Sequence, residues 1–393
     1  MAVLANWWRT NLPQLIALAG AGVAVVALLT RLEFFVRPGT ADVLRGLAQH
    51  AFVLGWLLLL TARSRTVSLA TLGIFWLLGV WAVYGVAYLI EEPLANLWGA
   101  EDSDTLVPVW LAPLTEEALK LLPVAIFLVV ASRGGRQIAA TDGLLLGFMV
   151  GAGVSFTEDA HIGSIQLSGE GWGAAMPWTM LFPTLTPVGD LLALNHALWA
   201  ALSGLGVGVA VMFRHWRWVW PIALAGPLLA LSNHVMLNHF AVNVFEAIGR
   251  ADAPAPYSTI RDLTDGGRLP MVVLVVGVLA VVVAQWLILR WVSKRDRTFP
   301  PLPIGHALGL IAHATSRTGA AQVLAADRYL RLRRSVYFAA WRTRTAGGYP
   351  DVSDADYAEL VSLAARLEIL PPYQPSAPPA VASPDAPAEA PAT

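Results

Sequence analysis

Cysteine is absent from all 393 residues of the chain. Without thiols the protein has no disulfide framework, no thiol nucleophile and no metal site built from thiolates. Any catalytic metal would have to be held by histidine, aspartate or glutamate side chains.

Charge is scarce as well. Charged residues make up 13% of the sequence, hydrophobic residues make up 56%, and the mean hydropathy is +0.59. Soluble domains carry about a quarter charged residues. Several stretches approach the ~20 apolar residues that a helix needs to cross a bilayer. The composition therefore predicts a polytopic membrane protein that contacts the lipid bilayer and binds no nucleic acid.

The apolar stretches predict an all-α fold, a transmembrane bundle of about eight spanning helices. They cover residues 12–30, 42–61, 68–90, 106–131, 141–163, 186–213, 219–243 and 270–292. The first stretch follows "NWWRT" and has no clear small-residue cleavage site, so we expect it to be retained rather than removed as a signal peptide. Trp and Tyr lie near many of the predicted helix ends, as interfacial anchors do.

Positive residues lie in alternate loops and predict an orientation. They follow the second, fourth, sixth and eighth predicted helices, as Arg63, Arg65, Arg133, Arg136, Arg214, Arg217, Lys294, Arg295 and Arg297. The loop after the third helix holds acidic residues instead, namely Glu91, Glu92, Glu101, Asp102 and Asp104. Because cytoplasmic loops carry an excess of Lys and Arg, both termini are predicted to be cytoplasmic. A loop with Arg31, Arg37 and Arg45 departs from this pattern.

The composition changes after residue 298 and predicts three regions. Residues 1–298 form the transmembrane domain, with its polar core at about 106–243. Residues 299–370 are predicted to be a cytoplasmic helical tail, in which "DRYLRLRRSVYFAAWRTR" is either a basic helix on the anionic inner leaflet or a solvated basic helix. Residues 371–393 are rich in Pro and Ala and are predicted to be disordered.

Polar residues within the fourth to seventh predicted helices are the strongest functional signal. Ionisable groups at this depth cost at least ~2.5–3.5 kcal/mol each on insertion and usually mark function. The set comprises Glu116, Glu117, Lys120, Glu158, Asp159, Asn195, His196, Asn233, His234, Asn238 and His239. At 1.5 Å rise per residue, Glu116, Glu158, His196 and His234 are all expected within roughly 8–15 Å of the outer surface.

This set predicts a single site, and two chemistries suit it. Two histidines and a glutamate from three helices can hold zinc with an open position for water, while a further glutamate acts as general base. Asn238 could then donate a hydrogen bond to the developing oxyanion. Alternatively, buried Glu, His and Lys build proton relays, which would make the protein a proton- or cation-coupled transporter. We find no convincing internal repeat of the kind that many transporters show.

Four motifs, in order, resemble those of the PrsW family of intramembrane proteases. They are "EEALK", "GAGVSFTED", "NHALWAALSGLGVGVA" and "HVMLN", between about Pro113 and Asn238. That family is itself similar to the CAAX prenyl proteases. The chain departs from the family pattern at Val154, where members usually have Phe, and at Asp159, where they usually have Asn.

The resemblance implies an intramembrane endopeptidase of the plasma (inner) membrane that cuts a single-pass regulator resembling an anti-sigma factor. Carried over by position, the paired glutamates are Glu116 and Glu117, the motif lysine is Lys120, and the ligand residues of a zinc ion are Glu158, His196 and His234. One of Glu116 and Glu117 is the expected general base, Lys120 holds the pair, and Asn238 assists the oxyanion. A metal-free glutamate mechanism and a catalytically idle scaffold are the remaining alternatives.

Overall fold

The computed structural model describes residues 40–62, 64–98, 107–133, 137–166, 186–188, 191–214, 216–245, 257–295, 320–345, 359–360 and 362–363. In this part of the chain the helices are α1 (Thr40–Thr61), α2 (Leu69–Leu77), α3 (Tyr84–Trp98), α4 (Ala112–Arg133), α5 (Ala140–Gln166), α6 (His196–Met212), α7 (Val219–Phe245), α8 (Tyr257–Leu263), α9 (Arg268–Arg295) and α10 (Ala320–Thr345). A π-helical segment, Leu78–Val83, joins α2 to α3, and another, Val107–Leu111, leads into α4. Two short strands, β1 (Thr186–Val188) and β2 (Leu191–Ala193), precede α6.

Most of the predicted helices are present, with two corrections to their bounds. The helix predicted at 186–213 begins only at His196, so this prediction is wrong for residues 186–188 and 191–195. The helix predicted at 68–90 extends through a π-helical segment to Trp98, although Pro93 lies inside it. The helix predicted at 12–30 lies outside the described residues. The short helix α8 was not predicted.

Asn195 explains why α6 begins where it does. Its backbone is extended, and its side-chain oxygen accepts a hydrogen bond from Leu198 N, which makes it the N-cap. Such a cap satisfies one of the backbone donors that the first turn of a helix leaves unpaired. The residues before it form an antiparallel ribbon in which Pro187 pairs with Leu192. His196 therefore lies at the very start of its helix, three residues after the end of β2.

Helices α5 and α6 pack against each other at backbone distance. A methyl group on Gly143, Gly147 or Gly151 of α5 would overlap backbone atoms of α6, including the carbonyl of His196. Glycine at these positions lets the two helices approach closely. Residues 140–158 of α5 are almost all buried in the bundle, so their position constrains the neighbouring helices.

A polar cluster ties the N-terminal end of α5 to the segment before α2. The buried carboxylate of Asp142 accepts hydrogen bonds from Thr66 N at 2.7 Å, Val67 N at 3.1 Å and Ala139 N at 2.9 Å. The hydroxyl of Thr66 donates to the same carboxylate. Fully paired in this way, Asp142 anchors the end of α5 that lies farthest along the helix from Glu158.

The apolar helices show that this is an integral membrane protein. Four stretches of the described chain are long and apolar enough to cross a membrane: Leu69–Leu97, Ala140–Glu158, Val219–His239 and Tyr257–Val292. Shorter apolar helices cover His50–Thr61 and His196–Met212. Helix α4 has the length of a span but carries Glu116, Glu117 and Lys120. The number of eight spans, and the orientation of the termini, stay predictions.

The chain divides into two compact units, one ending at Trp286 and the other beginning at Leu287. In the second unit, α10 packs Ala325, Tyr329 and Leu330 against Leu360 and Leu363. The cytoplasmic location of residues 299–370 stays a prediction, and the predicted disorder of residues 371–393 lies outside the described residues.

Candidate active site

Four helices bring their ionisable residues into one cluster. Helix α4 supplies Glu116, Glu117 and Lys120, α5 supplies Glu158, and α7 supplies His234. His196 comes from the first turn of α6, where the N–H groups of the helix start carry partial positive charge. Glu117, Lys120, His196 and His234 are buried, and Glu116 and Glu158 are partly exposed.

Glu117 is held by a cation on one side and an imidazole on the other. Its Oε1 atom lies 2.5 Å from Lys120 Nζ and 3.0 Å from His234 Nδ1. A carboxylate can only accept, so His234 donates through Nδ1 and keeps the lone pair of its neutral ring at Nε2. A carboxylate behind a histidine in this way fixes the tautomer and makes the free nitrogen a better metal ligand.

His196 has a matching arrangement with its two ring nitrogens exchanged. Lys120 Nζ donates to His196 Nδ1 at 2.8 Å, and His196 Nε2 contacts the carboxylate of Glu158. Because an ammonium cannot accept, Nδ1 carries the lone pair and Nε2 donates to Glu158. Glu116 Oε2 lies 3.2 Å from the same Nδ1 and 3.6 Å from Lys120 Nζ. With the Nδ1 hydrogen absent, these two acceptor atoms face one another without a hydrogen bond.

The donor set fits a divalent metal ion, which would take the Nδ1 lone pair of His196 in place of its hydrogen bond from Lys120. One ligand atom each from Glu116, His196 and His234 lie within 4.8 Å of one another. Within the described part of the chain, Glu116 Oε2 and Glu117 Oε2 are buried and have no hydrogen-bond partner. The three contacting carboxylates and the one ammonium leave two uncompensated negative charges when both imidazoles are neutral. Buried charge of this kind is costly unless a cation balances it.

The grouping differs in one respect from the ligand set predicted from sequence. Glu158 was expected to join His196 and His234 as third ligand, whereas the atoms that converge on the two imidazoles belong to Glu116. Glu158 instead contacts His196 Nε2. Asn238 lies one helical turn beyond His234 on α7 and is partly exposed.

The sequence analysis assigned no role to Trp199, which contacts the cluster, or to Asn233, which contacts Trp199. The indole of Trp199 stacks on His234, with ring centroids 4.0 Å apart and an angle of 16° between the planes. Asn233 Oδ1 accepts a hydrogen bond from Trp199 Nε1 at 2.8 Å. Trp199 lies three residues after His196, on the same side of the helix, and this spacing is the signal that could have identified it.

Glu91 is a further carboxylate near the cluster. It was placed in a loop, but it lies within α3 and interacts electrostatically with Glu116, Glu158, Lys120 and His196. Its Oε1 atom is buried and has no hydrogen-bond partner among the described residues. An acidic residue inside a run that continues "YLIEEPLANLW" was the available signal.

Fold and site together define a class of protein: a polytopic membrane protein with an internal cluster of carboxylates and imidazoles suited to hydrolysis. Comparison with protein families then matches residues 67–285 to the PrsW family, described as intramembrane metalloproteases. The match spans more than half of the chain and contains Glu116, Glu158, His196 and His234, and the protein belongs to this family. Membership implies an intramembrane protease that acts on a membrane protein substrate. Comparisons with curated proteins and with solved structures find no significant match.

Proposed function

We propose that the protein is a zinc-dependent endopeptidase that hydrolyses a peptide bond of a membrane-tethered protein. The observation that carries this proposal is the convergence of Glu116, His196 and His234 within 4.8 Å, beside a lysine-bound glutamate. Two imidazoles and a carboxylate are the ligand set of many catalytic zinc sites. Bound there, zinc would act as a Lewis acid that makes water nucleophilic at neutral pH.

We assign the roles of the remaining residues from their contacts. Lys120 and His234 both engage Glu117 Oε1, which leaves Oε2 of the same carboxylate to accept a proton from the attacking water. Glu158 orients the His196 ring through Nε2. For Asn238, one turn beyond His234 on α7, we keep the role assigned from sequence, which is to donate its amide N–H to the oxyanion. The assignment of Glu158 as third ligand, made from sequence, is the alternative to Glu116.

The proposed substrate is a single-pass membrane protein, of the kind that an anti-sigma factor represents, in the plasma membrane. This substrate class rests on the family resemblance. A substrate helix has to unwind before its peptide bond can be attacked, because the helical hydrogen bonds shield it. Unwinding is less costly near the interface, where freed backbone groups find water. With both termini cytoplasmic, the cluster lies in the outer half of the bilayer.

A coupled transporter is not favoured, because the family is one of proteases. Two other mechanisms differ from the proposal in their dependence on metal. In a metal-free glutamate mechanism, cleavage survives a chelator but not the loss of Glu117. In an idle scaffold, neither metal nor cleavage is found.

Metal analysis of the purified chain tests the proposal. We expect about one zinc ion per chain by inductively coupled plasma mass spectrometry. The zinc should be absent from His196→Ala and His234→Ala. Glu116→Gln is expected to lose zinc and Glu158→Gln to retain it, whereas the reverse result would make Glu158 the third ligand. Cleavage of a membrane-tethered reporter should stop in chelator and return with Zn²⁺. A metal-free preparation that still cleaves would refute the zinc role.

A further inference from the structure

Asn233 makes three side-chain hydrogen bonds in the interior of the bundle. Its side chain is fully buried and lies next to His234 on α7. Asn233 Oδ1 accepts from Leu194 N at 2.8 Å and from Trp199 Nε1 at 2.8 Å. Asn233 Nδ2 donates to Leu192 O at 3.1 Å. Two N–H groups face one side-chain atom and a carbonyl faces the other, so the orientation of the amide is determined.

Trp199 connects this amide to the cluster. Its ring is buried and stacks on His234 at 4.0 Å. The same ring lies edge-on to His196, with centroids 5.0 Å apart and planes at 88°. Lys120 Nζ lies 5.5 Å from the ring centroid, within the range of a cation–π contact. One indole therefore touches residues from α4, α6 and α7.

Hydrogen bonds from the Asn233 side chain to backbone groups hold the segment that leads into α6. Leu192 and Leu194 belong to the segment that leads from the ribbon into Asn195, the N-cap of the His196 helix. Leu192 N also donates to Gly266 O at 2.8 Å, in the turn before α9. Gly267 in that turn has a positive φ of 86°, and a side chain there would overlap Leu192 O. The start of α6 is thus held between α7 and this turn.

We propose that Asn233 and Trp199 act together as positioning residues for His234 and His196. The Asn233 side chain accepts the indole N–H of Trp199, and the indole in turn sets the plane of the His234 ring. The hydrogen bonds from the Asn233 side chain to the backbone of Leu192 and Leu194 set the position of His196. Neither residue touches substrate. This inference rests on the proposed function for its consequence on metal binding, although the contacts themselves do not depend on a metal. Outer partners of metal ligands typically alter affinity or activity by about 10–100-fold.

Three single variants and one double variant separate the parts of this arrangement. Trp199→Phe keeps an aromatic ring against His234 and removes the donor to Asn233. Trp199→Leu removes ring and donor. Asn233→Leu removes the acceptor, and a double variant of Asn233→Leu with Trp199→Phe tests whether the two act through their shared bond. Gln285→Leu is the matched control, because Gln285 is an equally buried amide that bonds to Thr141 and Met212, at the far end of α6 from His196.

Zn²⁺ affinity, measured on the full chain in detergent by competition with a chelator, is the first measurement. We expect Trp199→Leu and Asn233→Leu to weaken Zn²⁺ binding by about 10–100-fold. Trp199→Phe should lose less, and the double variant should lose no more than Asn233→Leu alone. Gln285→Leu should bind Zn²⁺ as the parent does, even where its thermal stability falls. Folded Asn233→Leu and Trp199→Leu proteins with parental affinity would overturn the inference.

Nuclear magnetic resonance of histidine-labelled protein is the second measurement, and it needs no metal. The ring protons of His234 should lie upfield in the parent, because the indole stacks on them, and should move downfield in Trp199→Leu but not in Gln285→Leu. A parent protein that binds no Zn²⁺ but shows this shift refutes the zinc centre and keeps the positioning role. An unshifted His234 signal refutes the positioning role whatever the metal result.

Discussion

Adding one methyl group at Gly151 should disable the enzyme without removing any ionisable residue. Gly151 lies on α5 where that helix meets the first turn of α6. A Cβ atom there would overlap the carbonyl oxygen of His196 and lie 2.7 Å from its carbonyl carbon and 2.8 Å from Ala197 Cα. The substitution Gly151→Ala therefore acts on the backbone of a proposed metal ligand.

The size of the effect follows from these distances. Non-bonded carbon atoms rest about 3.5–4.0 Å apart, so the two backbones must separate locally by about 1 Å. Overpacking of this kind costs about 1–3 kcal/mol of stability. A displacement of about 1 Å in a catalytic group can cost about 10²-fold in rate. We expect kcat/KM to fall by about 100-fold and Zn²⁺ affinity to fall with it.

Two other glycines provide matched controls. Gly204→Ala overlaps the carbonyl oxygen of Gly143, in the same interface but away from His196, and should reduce stability while kcat/KM changes less than about 10-fold. An added Cβ at Gly73 meets no heavy atom of the described residues within 4 Å, so Gly73→Ala should be neutral or stabilising, by up to about 1 kcal/mol. The measurements are thermal unfolding and cleavage of a membrane-tethered reporter in proteoliposomes. A Gly151→Ala enzyme with parental kcat/KM, or one no worse than Gly204→Ala, would refute this reasoning.

Three further predictions concern the cluster, the polar anchor and the product. Glu116→Gln should lose zinc. Glu117→Gln should keep most of its zinc and lose about 10²–10⁴-fold in kcat, because the substitution removes the general base. Equal partial losses of zinc and of kcat in the two variants would contradict this division of roles. Asp142→Asn puts an NH₂ group in place of one carboxylate oxygen, and this group faces two donors, either Thr66 N and Val67 N or the Thr66 hydroxyl and Ala139 N. The substitution should therefore cost about 1–3 kcal/mol of stability in thermal unfolding and leave kcat per folded molecule unchanged. Parental stability would argue against the anchor. Product termini mapped by mass spectrometry should cluster near the outer end of the substrate's spanning segment, and cuts at the cytoplasmic end would contradict the orientation or the site.

Helices were predictable from the sequence wherever an apolar run ended in a clear signal. Residue 219 was the predicted start of the seventh helix and is where α7 begins. The error before His196 arose because the apolar run Leu191–Leu194 leads directly into the helix, while the N-cap at Asn195 is a single local contact. The helix predicted at 68–90 ended before Glu91, yet α3 continues past Pro93 to Trp98. Length and hydropathy determine that a helix exists, and side-chain contacts decide its ends.

For the site, the sequence predicted that the polar residues of four helices lie at one depth in the membrane. It could not predict how each helix is rotated about its own axis. Neighbouring positions on a helix point about 100° apart, so depth alone does not decide whether Glu116 or Glu158 has an oxygen close to both His196 and His234. That choice depends on how α4 and α5 turn about their axes in the packed bundle. The contact between Trp199 and Asn233 joins two helices and likewise has no counterpart in local sequence.

The enclosure of α5 has a consequence for how the protein is made. Residues 140–166 are synthesised before α6 and α7, the helices that supply the histidines. Until α6 is complete, Gly143, Gly147 and Gly151 lack the backbone that they pack against, whereas contacts of α5 with earlier segments, such as Gly153 with Gly79 and Asp142 with Thr66, can already form. Helices α4 and α5, which carry Glu116 and Glu158, are therefore in the membrane before the helices that complete their packing are made. Nascent chains that end before residue 196 should be the forms that quality control removes.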